Sequence, residues 1–298
     1  MPSSDRTSSI PTTAVPGGGA SLPDELPDGP VSSTTSIDPR HAATRRVYGA
    51  ESFAIVQRLR IAVVGVGGVG SWAVEALVRS GVGHVTMIDH DDVDTSNINR
   101  QLLALDSTVG QSKVDTLAAR ALDINPACDI DAVDDFLAEK NLEPLLLRNF
   151  DVVIDAIDSI RFKAAMIAFC RRHKLPIITT GGAGGRIDPL AVSVADLSQT
   201  RHDALAARVR ARLRADYGFS RNPKRRFGIE CVHSSEQPVY PTASGGVSHA
   251  RPGVPGARLD CDRGYGSLGF VTGTFGFVAA SRAIRKGLQR RTGLRAAD

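Results

Sequence analysis

The sequence contains no C-x-x-C pair. Its four cysteines, Cys128, Cys170, Cys231 and Cys261, stand far apart. That spacing excludes a zinc ribbon or a thioredoxin-like centre and fits a reducing, cytoplasmic setting better than a disulfide framework. Residues 1–20 hold no apolar core segment, so no secretory leader is read there. Long aliphatic runs are also missing. The uncharged stretch from Gly264 to Ser281 carries five glycines and reads as a buried segment leading into a helix, ahead of a membrane span. Excess charge is small, at +4, but uneven. Residues 201–226 hold nine Arg or Lys against Asp203 and Asp216, a local +7 that leaves about −3 elsewhere. A concentrated basic segment points to a polyanionic partner.

What is present suffices for one or two domains, with 42% hydrophobic residues in 298. Residues 1–40, rich in Ser, Thr, Pro and Gly, are expected to be a disordered tail, and residues 291–298 a flexible one. From Arg60 the pattern alternates. Strands are expected at 60–64, 84–89, 128–135, 151–157 and 176–182, with helices at 112–125 and 162–174 between them. Such alternation implies an α/β, Rossmann-like, doubly wound and mainly parallel sheet with helices on both faces. Residues 41–200 would form this nucleotide-binding domain. Residues 201–290 would form a smaller basic C-terminal subdomain, with strand material at 186–197 before it. That subdomain would hold a helix at 203–218, a mobile loop at 242–258 and a closing helix at 270–290.

The stretch IAVVGVGGVGS (61–71) places Gly65, Gly67 and Gly70 as G-x-G-x-x-G, with Gly68 among them, between a strand and a helix start. Glycines there let a phosphate reach backbone N–H groups at a helix N-terminus. Asp89, at the end of the second strand, suits ribose hydroxyls, which NAD and ATP share. The residues after it separate the two. Arg100 and Lys113, with Asn97 and Gln101 beside Arg100, supply cations that a triphosphate needs and a dinucleotide does not. In DAIDS, Asp155 or Asp158 ends the central strand, where a carboxylate can hold Mg²⁺.

The motifs GVGGVGS, DHDDVDTSNINRQ, VGQSK and DAIDS together resemble the ATP-binding domain of the ThiF/MoeB and ubiquitin-activating enzyme superfamily, over residues 42–200. The resemblance implies adenylation of a carboxylate. It implies Asp89 on ribose, Asn97, Arg100 and Lys113 on phosphates, Asp91 and Gln101 in the same nucleotide set, and Asp158 on Mg²⁺. It also implies a homodimer in which Arg46, or failing it Arg45, reaches the partner's site. Arg46, Arg100 and Lys113 would then stabilise the charge developing in the reaction.

RVYG, TTGGAGG, IDP, GIECVHSSE and TGTFGFVAAS are similar to one branch, the tRNA threonylcarbamoyladenosine dehydratases, and extend the match to about residue 285. This branch implies ATP-driven cyclisation of a modified tRNA adenosine. It also implies a Na⁺ or K⁺ near Gly181–Gly185, with a phosphate or adenylate contact there as the alternative, and help from a cysteine desulfurase with its sulfur acceptor. Arg208, Arg210, Arg212, Arg214, Arg221, Lys224, Arg225 and Arg226 are the candidate tRNA contacts. Cys231, in a stretch that reads as polar loop, is expected to be non-catalytic or an accessory thiol. The rival functions are activation of a ubiquitin-like sulfur carrier, which the missing C-x-x-C pairs disfavour, an NAD-dependent oxidoreductase, and a nucleotide-sensing scaffold.

Overall fold

The structure, a computed structural model, describes residues 38–250 and 266–293. Its centre is a seven-stranded sheet built from β1 (Arg60–Val64), β2 (His84–Asp89), β3 (Asp129–Asp134), β4 (Val152–Asp155), β5 (Ile177–Thr180), β6 (Val192–Asp196) and β7 (Glu230–Ser234). The spatial order is β3-β2-β1-β4-β5-β7-β6. Every neighbouring pair is parallel except β6 and β7. β1 and β4 are nearly all apolar because both their faces are covered.

Alternation along these strands feeds two cores. Ile61, Val63, Met87, Ile154, Ile178 and Val232 face one side, with α3 (Gly70–Arg79), α4 (Lys113–Ile124) and α8 (Gly269–Thr292) packed there. The short helices α1 (Ala42–Tyr48) and α2 (Ala50–Val56) extend that side. Ala62, Val64, Val153, Ile177 and Cys231 face the other, under α5 (Leu142–Leu146), α6 (Ile160–Arg172) and α7 (Ala204–Asp216). This is the doubly wound arrangement expected. α8 approaches α3 closely because Gly276 has no side chain: a Cβ there would lie 2.5 Å from the Val69 carbonyl oxygen.

Several expectations are corrected. The region 219–260 does not read as strand, yet β7 inserts between β5 and β6 and is buried over Cys231–Ser234. Residues 201–290 therefore share the sheet of residues 41–200, and everything from Asp38 on clusters as one unit, with no break at 200. The strand expected at 186–197 is confined to β6, because Asp188 caps a 3-10 turn at Pro189–Ala191. The expected loop 242–258 includes β9 (Val247–Ser248), paired with β8 (Tyr240–Pro241); its residues 251–258 lie outside the described residues. The described residues start at Asp38, whose carboxylate caps the turn at Pro39–His41. The rest of the expected N-terminal tail, and 294–298 of the C-terminal one, lie outside the described residues. Among the described residues no helix is long and apolar enough to cross a membrane.

Candidate nucleotide-binding active site

A cleft of about 780 Å³ runs across the C-terminal ends of β2, β1, β4 and β5, the edge at which open α/β sheets bind ligands. Over β1, Gly65 takes φ +83°, and a Cβ on it would meet Ile157 Cγ2 at 2.9 Å. Gly67 and Gly68 line the cleft; Gly70 does not. Gly70 instead opens α3 against the Gly65 carbonyl, where a Cβ would sit 1.8 Å from that oxygen. The third glycine of the motif thus serves the turn and not the ligand.

Asp89 is fixed beside this turn. Its carboxylate accepts from the Val66 N–H at 2.7 Å and from the Asp91 N–H at 3.0 Å. Phe136 lines the cleft at this end, edge-on to His90 at 4.7 Å between centroids. Arg100 and Gln101 stand against the glycine turn, and Asn97 and Lys113 line the same cleft. The Arg100 carbonyl accepts from Trp72 Nε1 of α3 at 3.0 Å and from Thr272 Oγ1 of α8 at 3.2 Å. Its guanidinium donates to the Ser96 carbonyl and to Asn99 Oδ1. Buried Lys113 points its ammonium at Asp91, 2.8 Å away. Gln101 is buried over Gly67, with Oε1 lacking any hydrogen-bond partner among the described residues.

The two candidate metal carboxylates have separate fates. Asp155 is wholly buried, with Oδ1 paired to Lys163 at 2.8 Å and Oδ2 accepting from Thr179 at 2.6 Å. Asp158 is exposed in the cleft wall, and no described residue donates to its carboxylate. Asp89, His90 and Asp91 also bring ligand atoms within 4.8 Å of one another. Two of them are already engaged, by N–H groups and by Lys113. Asp158 is the free hard oxygen donor that suits Mg²⁺.

Over β5 the cleft is walled by Thr180–Gly184, Arg186, Asp203–Leu205 and Arg208. Asp203 caps α7 through Ala206 N–H at 2.8 Å and holds Gly182 N–H at 3.1 Å. Arg186, almost fully buried, donates to the carbonyls of Gly182 and His202. A protein cation therefore faces the Gly182 carbonyl, within the Gly181–Gly185 stretch where the monovalent ion is expected. Arg186 and Asp203 carry no motif that would mark them in the sequence.

The basic residues do not act as one set. Arg208 lines the cleft. Arg210 is half-buried and donates to Thr200 Oγ1; burial, with Arg214 nearby, lowers its pKa. Arg214 donates to the Ser220 carbonyl at 3.2 Å and stacks 5.3 Å from the Phe227 ring centroid. These two are committed to the fold. Arg212 is exposed and paired with Asp216, and Arg221, Lys224, Arg225 and Arg226 are exposed. Arg46 is exposed on α1 and is not part of this chain's own cleft.

The polar loop expected around Cys231 is corrected: the residue lies within β7, fully buried, and burial pushes its thiol pKa up. A neutral, enclosed thiol is not a nucleophile. His233, two residues along, does not alter this, because burial pulls its own pKa down.

The family description that matches the sequence is the ThiF family, across residues 40–295. This chain belongs to the ThiF family. Within that family it is 48% identical over 248 residues to the tRNA threonylcarbamoyladenosine dehydratase of Escherichia coli (strain K12), covering 83% of this chain and 92% of the relative. It is 44% identical to the Haemophilus influenzae protein of the same name over 257 residues, 86% of this chain and 96% of that one. Crystal structures of the E. coli tRNA N6-threonylcarbamoyladenosine dehydratase in complex with ATP and with AMP each match with a TM-score of 0.75 and 43% identity. Each covers 86% of this chain and 96% of the other. The ThiF fold thus places the glycine turn and the cations of this chain in one cleft.

Proposed function

We propose that this ThiF-family protein is an ATP-dependent tRNA threonylcarbamoyladenosine dehydratase. The observation that carries this reading is the convergence of the glycine turn, Asp89, Arg100 and Lys113 on one cleft, in a chain so similar to proteins of that name. The substrate is an adenosine in tRNA beside the anticodon, bearing a threonylcarbamoyl group with a free carboxylate. A carboxylate oxygen attacks the α-phosphorus of ATP. The new O–P bond forms as the bond to the bridging oxygen breaks, and pyrophosphate leaves. A nitrogen or oxygen of the carbamoyl unit then attacks the activated acyl carbon, closes a five-membered ring and expels AMP. Because this second attack is intramolecular, positioning supplies much of the rate.

The chain's own residues hold and orient. Asp89 receives the ribose, and the glycine turn receives the phosphates, with Asn97, Gln101, Arg100 and Lys113 countering their charge. Asp158 would hold Mg²⁺, which supplies charge neutralisation on the phosphate oxygens when bound. Arg46 is exposed beside Val47, an apolar side chain 84% exposed. That placement suits a homodimer in which Arg46 reaches the neighbouring subunit's phosphates. Arg212, Arg221, Lys224, Arg225 and Arg226 contact the tRNA backbone. The three described cysteines, Cys128, Cys170 and Cys231, are unpaired, in keeping with a cytoplasmic setting.

The test is mass spectrometry of nucleosides from tRNA treated with the protein and ATP–Mg²⁺. The expected result is loss of one water from threonylcarbamoyladenosine with release of AMP and pyrophosphate. An unchanged nucleoside, or a protein adenylate on a Gly-Gly-tailed carrier, would overturn it.

A further inference from the structure

Four Arg or Lys side chains line the cleft, and three already have protein partners: Arg100 on Ser96 and Asn99, Lys113 on Asp91, Arg186 on Gly182 and His202. Arg208 is different. Among the described residues, no acceptor or carboxylate meets its guanidinium, and its side chain is exposed at the cleft. It projects from α7 together with Ala204 and Leu205, which share its helix face and line the same end of the cleft. That end lies over β5, on the far side of β1 and β4 from Asp89 and β2. The cleft thus has a ribose end at Asp89, a phosphate middle at the glycine turn, and a third compartment in which Arg208 has no hydrogen-bond or ion-pair partner among the described residues.

The structure assigns that compartment to the acyl substrate, and we propose that Arg208 positions the substrate's carboxylate; the assignment rests on the function proposed above. A carboxylate approaching a triphosphate is repelled by it. A guanidinium on the approach side offsets that repulsion and can hold one carboxylate oxygen while leaving the other free to attack. Thr180, Gly181 and Gly182 form the compartment floor. The Gly182 backbone is held by Asp203 and Arg186 and the Gly181 N–H by the Val232 carbonyl, so the pocket is shaped before substrate arrives. Arg208 is thereby separated in role from the tRNA-backbone arginines with which its sequence position groups it.

The experiment compares two tRNAs that differ only in whether the adenosine carries threonylcarbamoyl. Each is titrated by fluorescence anisotropy against wild type, Arg208→Ala and Arg208→Lys, with a non-hydrolysable ATP analogue present. Wild type is expected to prefer the modified tRNA by about tenfold or more, the scale of a charge-assisted hydrogen bond. Arg208→Ala should erase that preference and leave affinity for the unmodified tRNA and for the analogue unchanged. Arg208→Lys should restore part of it. Arg225→Ala with Arg226→Ala should weaken both tRNAs equally. Equal weakening of both tRNAs by Arg208→Ala, no effect of that substitution, or no preference in wild type would each overturn the assignment. Failure of the wild-type protein to dehydrate the nucleoside overturns the proposed function instead.

Discussion

The ammonium of Lys113, at the first residue of α4, lies 2.8 Å from Oδ2 of Asp91, with its side chain only 7% exposed. The pairing holds a buried ammonium in place at the cleft that the glycine turn also lines. In the function proposed above, this ammonium counters the charge of the triphosphate. Lys113→Ala should therefore lower the dehydration rate by about 10²–10³, the scale of losing one preorganised charge donor. Its thermal midpoint should change little, because Asp91 is half-exposed and can hydrate. Single-turnover kinetics with saturating ATP check the first point, and calorimetry checks the second. A rate within a few-fold of wild type would remove Lys113 from the reaction.

The glycines of the turn should separate by role. A Cβ at Gly70 would lie 1.8 Å from the Gly65 carbonyl oxygen, which is backbone and cannot rotate away. A Cβ at Gly67 would meet only the Gln101 amide at 3.7 Å. Gly70→Ala should cost about 1–3 kcal/mol of stability from overpacking. Gly67→Ala should leave stability near wild type and weaken ATP alone, because the methyl group occupies phosphate space. Urea denaturation and isothermal titration with ATP distinguish the two. Equal effects on stability would show the turn to be read wrongly.

Part of the acid sensitivity should come from the seam between α8 and β7. Burial alone would raise the Glu230 carboxyl, but hydrogen bonds from Arg282 and Lys286 outweigh it and hold it below the ordinary carboxylate value of 4.5. A depressed folded pKa means the contribution is fully present above the unfolded value and is lost as pH falls through the folded one. Part-exposure limits it to about 1 kcal/mol or less. Glu230→Gln should lower stability at neutral pH and flatten its fall between neutral pH and about pH 3. Urea midpoints across that range provide the measurement, and an unchanged slope in the variant would refute it.

The glycine turn and Asp89 are legible in the sequence because they stand at the ends of β1 and β2, and Asn97, Arg100 and Lys113 because they follow in the ordered motifs DHDDVDTSNINRQ and VGQSK. The strand–turn–helix order also sets their direction. The compartment over β5 is not legible. Arg186 and Asp203 meet Gly182, and Arg208 lines the same cleft, in a fold where β5 pairs with β7, some fifty residues away, and β7 itself is polar enough in Glu-Cys-Val-His-Ser to read as loop. The same strand explains Cys231, whose neighbours in sequence suggest exposure and whose neighbours in space enclose it. Arg210 and Arg214 look like free charge by composition. Their partners, Thr200, Ser220 and Phe227, come from the loops before and after α7, and nothing in a helical wheel places those loops.

Beneath the cleft, Lys163 and Asp155 form a pair with side chains 2% and 0% exposed. Such a pair adds little net stability over apolar residues of the same size, but removing one member leaves a buried charge uncompensated, at about 3–5 kcal/mol. Lys163 also donates to the Ile157 carbonyl at 2.8 Å, and Ile157 immediately precedes Asp158. The pair therefore sets the backbone from which Asp158, the carboxylate proposed for Mg²⁺, extends. Lys163→Met should destabilise the protein by that amount and raise the Mg²⁺ concentration needed for half-maximal activity. Lys163→Met combined with Asp155→Leu should recover most of the stability, because no buried charge then remains. It should not recover the Mg²⁺ requirement, because the Ile157 carbonyl still lacks its donor. Urea midpoints and Mg²⁺ titrations of activity on the two variants test both halves. Recovery of the Mg²⁺ requirement in the double variant would mean that charge, and not the hydrogen bond to Ile157, sets the position of Asp158.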